Sequence, residues 1–313
     1  MQKYFSGQYY LQKRQNASTR TKAYLALTIV SITWGTTWLA SKEAVRLMPP
    51  LQMISFRQFS AGCLLLLFFL FKKQPMPLGK QWKSIFILSV LNFLLSNGLS
   101  TWGVKYISSG LGSIISAIFP LWLVIILLFK GSKIPTNAII GMVLGFGGVC
   151  IIFYEHLNDF LNADFRLGII MSITASITWA FGTLYTQKHA INFNPYVSLG
   201  FQMFISGGVL LIAAYSTGNV MPLKDIPVLA WSAIAYLVII SSLITYVAYI
   251  YTLQHLPATL ASIYAYINPI IAILLGALLV NEPFTWFIAI GGLVTIAGVY
   301  LMNRSLRGSI AKA

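Results

Sequence analysis

The tetrapeptide Ser31-Ile32-Thr33-Trp34 returns as Ser176-Ile177-Thr178-Trp179, 145 positions later, and the match continues outward from it. In the same register, without a gap, Pro50 meets Pro195, and Phe56, Phe59 and Gly62 meet Phe201, Phe204 and Gly207. At an offset of 149, Trp82 meets Trp231, Leu111 meets Leu260, Ser113 meets Ser262 and Pro120 meets Pro269. At 150, Gly141 meets Gly291 and Gly148 meets Gly298. Matches between apolar runs arise easily by chance, but Trp and Pro are rarer and they keep one nearly constant spacing. The chain therefore reads as a duplication.

What is duplicated is set by composition. Of 313 residues, 58% are hydrophobic and 9% charged, whereas a water-facing surface wants roughly a quarter of its residues charged. Lipid is the solvent that suits this chain, and a helix needs about 20 apolar residues to cross a hydrocarbon core about 30 Å thick. Such runs fall at 23–42, 51–71, 84–104, 108–129 and 138–154, then at 167–187, 196–215, 229–251, 258–280 and 286–302. The expected fold is all-α, ten transmembrane helices in two five-helix repeats. Five is odd, so the second repeat must run through the membrane upside down relative to the first.

The expected organisation is an N-terminal tail (1–22), a first repeat (23–154), an outer linker (155–166), a second repeat (167–302) and a C-terminal tail (303–313). The first tail is polar and is expected to be disordered. It is too long for the basic region of a secretory signal, so the first apolar run reads as a retained helix. A formal net charge of +15 could suggest nucleic acid, but the placement of the charges argues otherwise. With the N-terminus inside, inner segments hold five Lys and Arg in the first tail, then Lys72, Lys73, Lys80, Lys83, Lys130, Lys133, Lys188, Arg304, Arg307 and Lys312. All six acidic residues, Glu43, Glu155, Asp159, Asp164, Asp225 and Glu282, fall on the other side. That asymmetry orients a membrane protein. It implies an inner (plasma) membrane location with both termini cytoplasmic, and membrane lipid rather than nucleic acid as partner.

The stretch Asn268-Pro269, Leu278-Leu279-Val280-Asn281-Glu282-Pro283, Gly291-Gly292 and Gly298 resembles the end of the EamA-type domain of the drug/metabolite transporter superfamily. The shared pattern is a proline-broken helix, a leucine-rich run, a loop glutamate and a glycine-patterned helix. The first copy matches through Trp34-Gly35, Arg57, Pro120, Gly141, Gly145 and Gly148, and departs at the loop glutamate, where Lys133 stands. The resemblance covers nearly all of 23–302. It implies ten helices and export or exchange of small metabolites, in a group broad in substrate.

Several residues invite a functional reading beside a structural one. Trp34 and Trp179 fall near the middle of their spans, whereas Trp usually sits at the headgroup level; they read as facing walls of a substrate cavity, or as packing residues with an internal hydrogen bond. Asn92, Ser96 and Ser100 repeat at fourfold spacing, which on an α-helix is one face, and their mates at 149 are Ser241, Thr245 and Tyr249. Unpaired polar groups in hydrocarbon cost several kcal/mol, so both stripes should turn inward, toward substrate or toward neighbouring helices. Asn97, Tyr264 and Asn268 are weaker candidates of the same kind. Arg57 is the one charge well inside a span, suited to a substrate carboxylate or, as the structural alternative, to snorkelling outward and bonding carbonyls at a helix end. Pro120 and Pro269 should kink the fourth and ninth spans, which suits gating. The glycines of the fifth and tenth spans suit close helix packing, with a homodimer seam as a further option. Cys63 and Cys150 read as small core residues.

No Asp or Glu lies inside a predicted span, which favours facilitated diffusion or exchange over proton antiport, and neutral or zwitterionic cargo over cationic drugs. No phosphate-cradling loop and no metal-spaced His or Cys appear, so neither ATP nor any other cofactor is expected. The leading expectation is a secondary carrier for a small amphipathic metabolite such as an amino acid. An intramembrane enzyme is the alternative; it would have to draw on His156, His189 or His255, all at loops or span ends. A structural or sensory subunit is the third reading.

Overall fold

The computed structural model describes residues 17–129, 135–155, 158–189, 193–256, 261–262 and 264–310. Among them there is no strand, and ten helical passages follow one another. They are α1 (Ala17–Leu47), α2 (Pro50–Phe71), α3 (Gln81–Gly103), α4 (Ser109–Ala117 and, after a break, Phe119–Phe129) and α5 (Thr136–Glu155). The second repeat gives α6 (Ala163–His189), α7 (Pro195–Ser216), α8 (Val228–His255), α9 (Tyr264–Val280) and α10 (Trp286–Ile310). Helices α1–α4 and α6–α8 each carry an apolar stretch long enough to cross a bilayer; α5, α9 and α10 carry the shorter apolar runs Thr136–Ile152, Ile267–Val280 and Trp286–Met302.

Large apolar side chains cover the outside of the bundle, and polar ones are buried inside among its apolar core. Leu67, Phe68, Phe71, Val143, Phe146, Leu278 and Leu293 are exposed, while Gln52, Ser55, Arg57, Gln58, Ser113, Gln202, Ser206 and Ser241 are buried. In water that arrangement would fail; in hydrocarbon it is required, because the polar groups find partners only inside the bundle.

The second repeat lies upside down on the first. A methyl group on Gly62 would fall 2.4 Å from the amide nitrogen of Phe204, one on Gly207 2.3 Å from that of Phe59, and Gly200 faces Leu65 and Leu66. Residue numbers on α7 fall as those on α2 rise, so the two helices run antiparallel. Gly62 and Gly207 are repeat mates, as are Phe59 and Phe204, so each contact is returned by its mate, as across a twofold axis. Helices α5 and α10 repeat the pattern: Gly141 lies against Gly298 and Met302, and Gly148 against Gly291 and Thr295. These glycines are thus spent on a close crossing within one chain. Gly147 and Gly292 face nothing within 4 Å.

The structure departs from the sequence reading in several places. Helix α1 begins at Ala17, so the last residues assigned to the tail are helical, and α10 runs on to Ile310 through residues assigned to the C-terminal tail. The fourth span does break, just before Pro120, which stands at the start of the second segment where its missing N–H costs nothing, whereas α9 runs on without interruption through Pro269. Cys63 is half-buried and Cys150 is exposed on α5 rather than in the core.

At the face where α1 and α3 end and α4 begins, two charged side chains cap backbone. Asn281 has φ 54°, which turns the chain back at the end of α9 so that Glu282 N–H donates to Gly276 O at 3.0 Å. The Glu282 carboxylate then accepts from Ser109 N (2.8 Å), Ser109 Oγ (2.7 Å) and Gly110 N (3.3 Å) at the N-terminus of α4, where the helix dipole favours an anion. Lys42 Nζ donates to the carbonyls of Val104 (2.8 Å) and Ile107 (2.7 Å) just past α3. Lys133, which stands where the first repeat would carry the glutamate, lies outside the described residues.

Candidate substrate site on the repeat axis

Helices α3 and α8 change geometry in their middles. Ser89–Gly98 of α3 and Leu237–Thr245 of α8 are π-helical, at positions the 149 offset makes equivalent. π turns are rare overall and frequent at functional sites. Side chains also reach the carbonyls inside them: Asn97 Nδ2 donates to Asn92 O (3.2 Å), Thr245 Oγ1 to Ile240 O (2.6 Å) and, from α2, Gln58 Nε2 to Phe93 O (3.2 Å).

Among the described residues, three pairs of repeat mates touch each other, and a residue can touch its own mate only on the axis that exchanges the repeats. Phe59 stacks on Phe204 with ring centroids 4.9 Å apart. Asn97 Nδ2 donates to Tyr246 Oη, its mate at 149. Trp34 meets Trp179 edge to face at 5.7 Å. Around the two indoles close the rings of Tyr246, Tyr249 and Tyr264, each 5.0–5.1 Å from Trp34. Trp179 Nε1 donates to Tyr264 Oη at 2.7 Å, and Thr183 and Tyr249 share a hydroxyl bond of 3.0 Å.

Above this cluster lies a cavity of about 100 Å³. Its wall runs from Trp34 and Trp179 toward the face where α1 and α3 end, through Trp38, Ser41, Thr101 and Val104, and includes Arg57, Ser96, Asn97, Ser100, Ser172, Ser176, Ser241, Tyr246, Tyr264 and Asn268. On the other side of the cluster two small spaces follow. One of about 10 Å³ is lined by Asn92, Phe93, Thr183, Gln202 and Tyr249 among others. One of about 40 Å³ is lined by Gln81, Ser84, Thr186, Ser198 and Gln202 among others. Ligand pockets run to roughly 300–1,000 Å³, so the cavity as it stands is contracted, and the aromatic cluster separates it from the opposite face.

Arg57 neither snorkels nor bonds carbonyls. It is 5% exposed, and it donates from Nε to Ser242 Oγ (3.1 Å) and from Nη2 to Ser241 Oγ (2.7 Å), two hydroxyls on the π segment of α8. Its repeat mate at 145 is Gln202, beside Asn92, which is the mate of Ser241. Gln202 Nε2 donates instead to Ser198 Oγ at 2.9 Å, so the two mated positions differ both in charge and in partner. Asn268, with its amide turned as its neighbours require, donates to Ser31 O (2.9 Å) and Tyr264 O (3.1 Å). Ser176 Oγ is buried without a hydrogen-bond partner, as is Asn92 Oδ1.

Of the residues singled out from the sequence, Trp34, Trp179, Arg57, Ser96, Ser100, Asn97, Tyr264, Asn268 and Ser241 share the cavity wall. Tyr249 belongs to the aromatic cluster, and Asn92 lies beyond it. Thr245 is buried away from the cavity, bonded to Thr33 Oγ1 at 2.7 Å. The fourfold stripe therefore does not hold as one face, because a π turn takes more residues than an α turn and moves the inward position on by one. Tyr246, absent from the stripe, takes the inward place expected of Thr245; the signal in the sequence is that it is the repeat mate of Asn97. Pro120 and Pro269 do not line the cavity. His255 bonds Tyr251 O at the end of α8, and His156 lies outside the described residues.

The EamA-like transporter family model matches residues 21–154 and again 166–304. The chain belongs to that family. Relatives agree along most of their length. The "Uncharacterized transporter YvbV" of Bacillus subtilis (strain 168) is 26% identical over 94% of this chain and 95% of its own. The "Uncharacterized inner membrane transporter YedA" of Escherichia coli (strain K12) is 29% identical over 83% of each. The "WAT1-related protein At3g02690, chloroplastic" of Arabidopsis thaliana is 29% identical over 86% of this chain and 66% of its own. A crystal structure 14% identical superposes on 94% of this chain and 99% of its own with a TM-score of 0.65, which shows a shared fold. The EamA-like assignment makes this chain a membrane transporter.

Proposed function

We propose that this chain is a secondary carrier that exports or equilibrates a small amphipathic metabolite, a neutral or zwitterionic amino acid or a compound of that kind, by alternating access through the cavity on the repeat axis. The proposed setting is the plasma (inner) membrane with both termini cytoplasmic. The observation that carries the reading is the meeting of Trp34 with Trp179 and of Asn97 with Tyr246 at the floor of a hydroxyl-lined cavity. Mates that touch on the axis are surfaces shared by both halves, and an inverted pair of repeats has two end states of similar energy that exchange about that axis. In this conformation the cavity extends toward one face and the aromatic cluster stands between it and the other. The opposite state needs α3 and α8 to part at the π segments, whose looser turns suit such movement. Indole faces suit an apolar side chain or an ammonium group, and the surrounding serines suit polar ends.

The test is counterflow of a labelled amino-acid panel in liposomes loaded with purified protein. Trp34→Ala and Trp179→Ala are expected to lower flux at least tenfold at an unchanged amount of folded protein. Unchanged uptake kinetics in both variants would reject the site, and reporter fusions placing the two termini on opposite faces would reject the topology.

A further inference from the structure

Among the described residues, Arg57 is the one charged residue in the cavity wall, and no carboxylate shares that wall. A guanidinium offers two edges that each present a pair of N–H bonds: a side edge made by Nε and Nη2, and an end edge made by Nη1 and Nη2. The side edge is occupied. Nε donates to Ser242 Oγ at 3.1 Å and Nη2 to Ser241 Oγ at 2.7 Å. Both acceptors are neutral, so they orient the group without cancelling its charge. The end edge has no partner among the described residues. An uncompensated cation this deep in a membrane protein is costly and marks function by default, and a carboxylate anywhere in the wall would have removed the cost. The missing negative charge is left for the cargo to bring.

We propose that the transported molecule bears a carboxylate, which pairs two-pronged with the end edge of Arg57, while the rest of the molecule lies against Trp34, Trp179 and Tyr246. This rests on the carrier reading above and adds the chemical class of the cargo. Arg57 is then a binding residue, and Ser241 and Ser242 are positioning residues that leave the correct edge turned outward. A planar carboxylate fits that edge with two parallel hydrogen bonds, each charge-assisted. Ser176, whose buried hydroxyl has no partner and which lines the same cavity, is available to a further oxygen or an ammonium group of the same ligand.

The test compares acids with their neutralised analogues: L-leucine, L-phenylalanine, L-threonine and 3-phenylpropionate against the matching amides, on the full chain, by thermal stabilisation in detergent and by counterflow in liposomes. In the wild type the acids are expected to stabilise at concentrations roughly ten- to a hundredfold below the amides, the range a charge-assisted pair supplies. Arg57→Met is expected to reduce that preference to near unity, and Arg57→Lys to keep part of it, since an ammonium keeps the charge and loses the fork. The wild-type comparison needs no variant to fold. Equal response to acids and amides, or no response to any acid, overturns the proposal. Stabilisation by acids with no counterflow supports the carboxylate site and removes the carrier reading; counterflow of amides as fast as acids keeps the carrier and removes the carboxylate site.

Discussion

The crossing of α5 and α10 allows a sharp test of the inverted packing. A methyl group added at Gly148 would lie 2.4 Å from both Thr295 N and Thr295 Oγ1 and 2.5 Å from Gly291 O, about 1 Å short of the ordinary 3.4–4 Å contact. Backbone atoms make up most of that wall, so no rotamer change can relieve it and the helices must separate. Overpacking of this kind costs about 1–3 kcal/mol. For a chain of a few hundred residues each kcal/mol moves Tm by about 2–4 °C, so Gly148→Ala should lower the apparent Tm in detergent by roughly 2–12 °C. The repeat mate predicts the same for Gly298→Ala, whose added methyl would meet Gly145 N at 2.2 Å. The neighbouring residues supply the controls. Gly147 and Gly292 face open space, and replacing Gly by Ala inside a helix gains up to about 1 kcal/mol, so both Ala variants should hold or slightly raise Tm. If Gly147→Ala and Gly148→Ala shift Tm alike, the crossing does not lie where it is described, and the antiparallel pairing of the repeats loses half its support.

The caps at the far rim give two further predictions. Glu282→Ala removes the acceptor for Ser109 N, Ser109 Oγ and Gly110 N and should cost about 1–2 kcal/mol, in the range for lost helix caps, read as a lower Tm, with Glu282→Gln restoring part. Lys42→Met leaves the carbonyls of Val104 and Ile107 without that donor and should cost about 1–3 kcal/mol, with Lys42→Arg closer to wild type; an unchanged Tm in Lys42→Met would show that water takes over the bonds.

Much of this architecture could be read from spacing alone. Trp34 with Trp179, Phe59 with Phe204 and Gly148 with Gly298 keep their register because each makes a contact at or near the axis, where drift in one copy would have to be answered in the other. The two central helices were harder. Ser241 and Thr245 look like one face only if the helix is α, and nothing in Leu237–Thr245 as a string of apolar and hydroxyl residues announces a wider turn. Arg57 was ambiguous for another reason: whether a guanidinium escapes to the surface depends on what faces it, and Ser241 and Ser242 are about 185 residues away in sequence. Caps such as Glu282 on Ser109 are equally invisible, since they join loops from different repeats.

The exchange of Arg57 for Gln202 across the axis has an electrical consequence. Identical halves would leave the empty protein blind to the potential across its membrane, since turning one arrangement into the other would move no net charge. Here a guanidinium sits on one half and an amide on the other, so changing which face Arg57 communicates with changes its place in the field, at up to about 2.3 kcal/mol per 100 mV for a full traverse. A simple acid without an ammonium group, seated on Arg57, would cancel that displacement, whereas a zwitterion would leave it, so membrane voltage should bias the orientation of the empty protein more strongly than that of the protein loaded with 3-phenylpropionate.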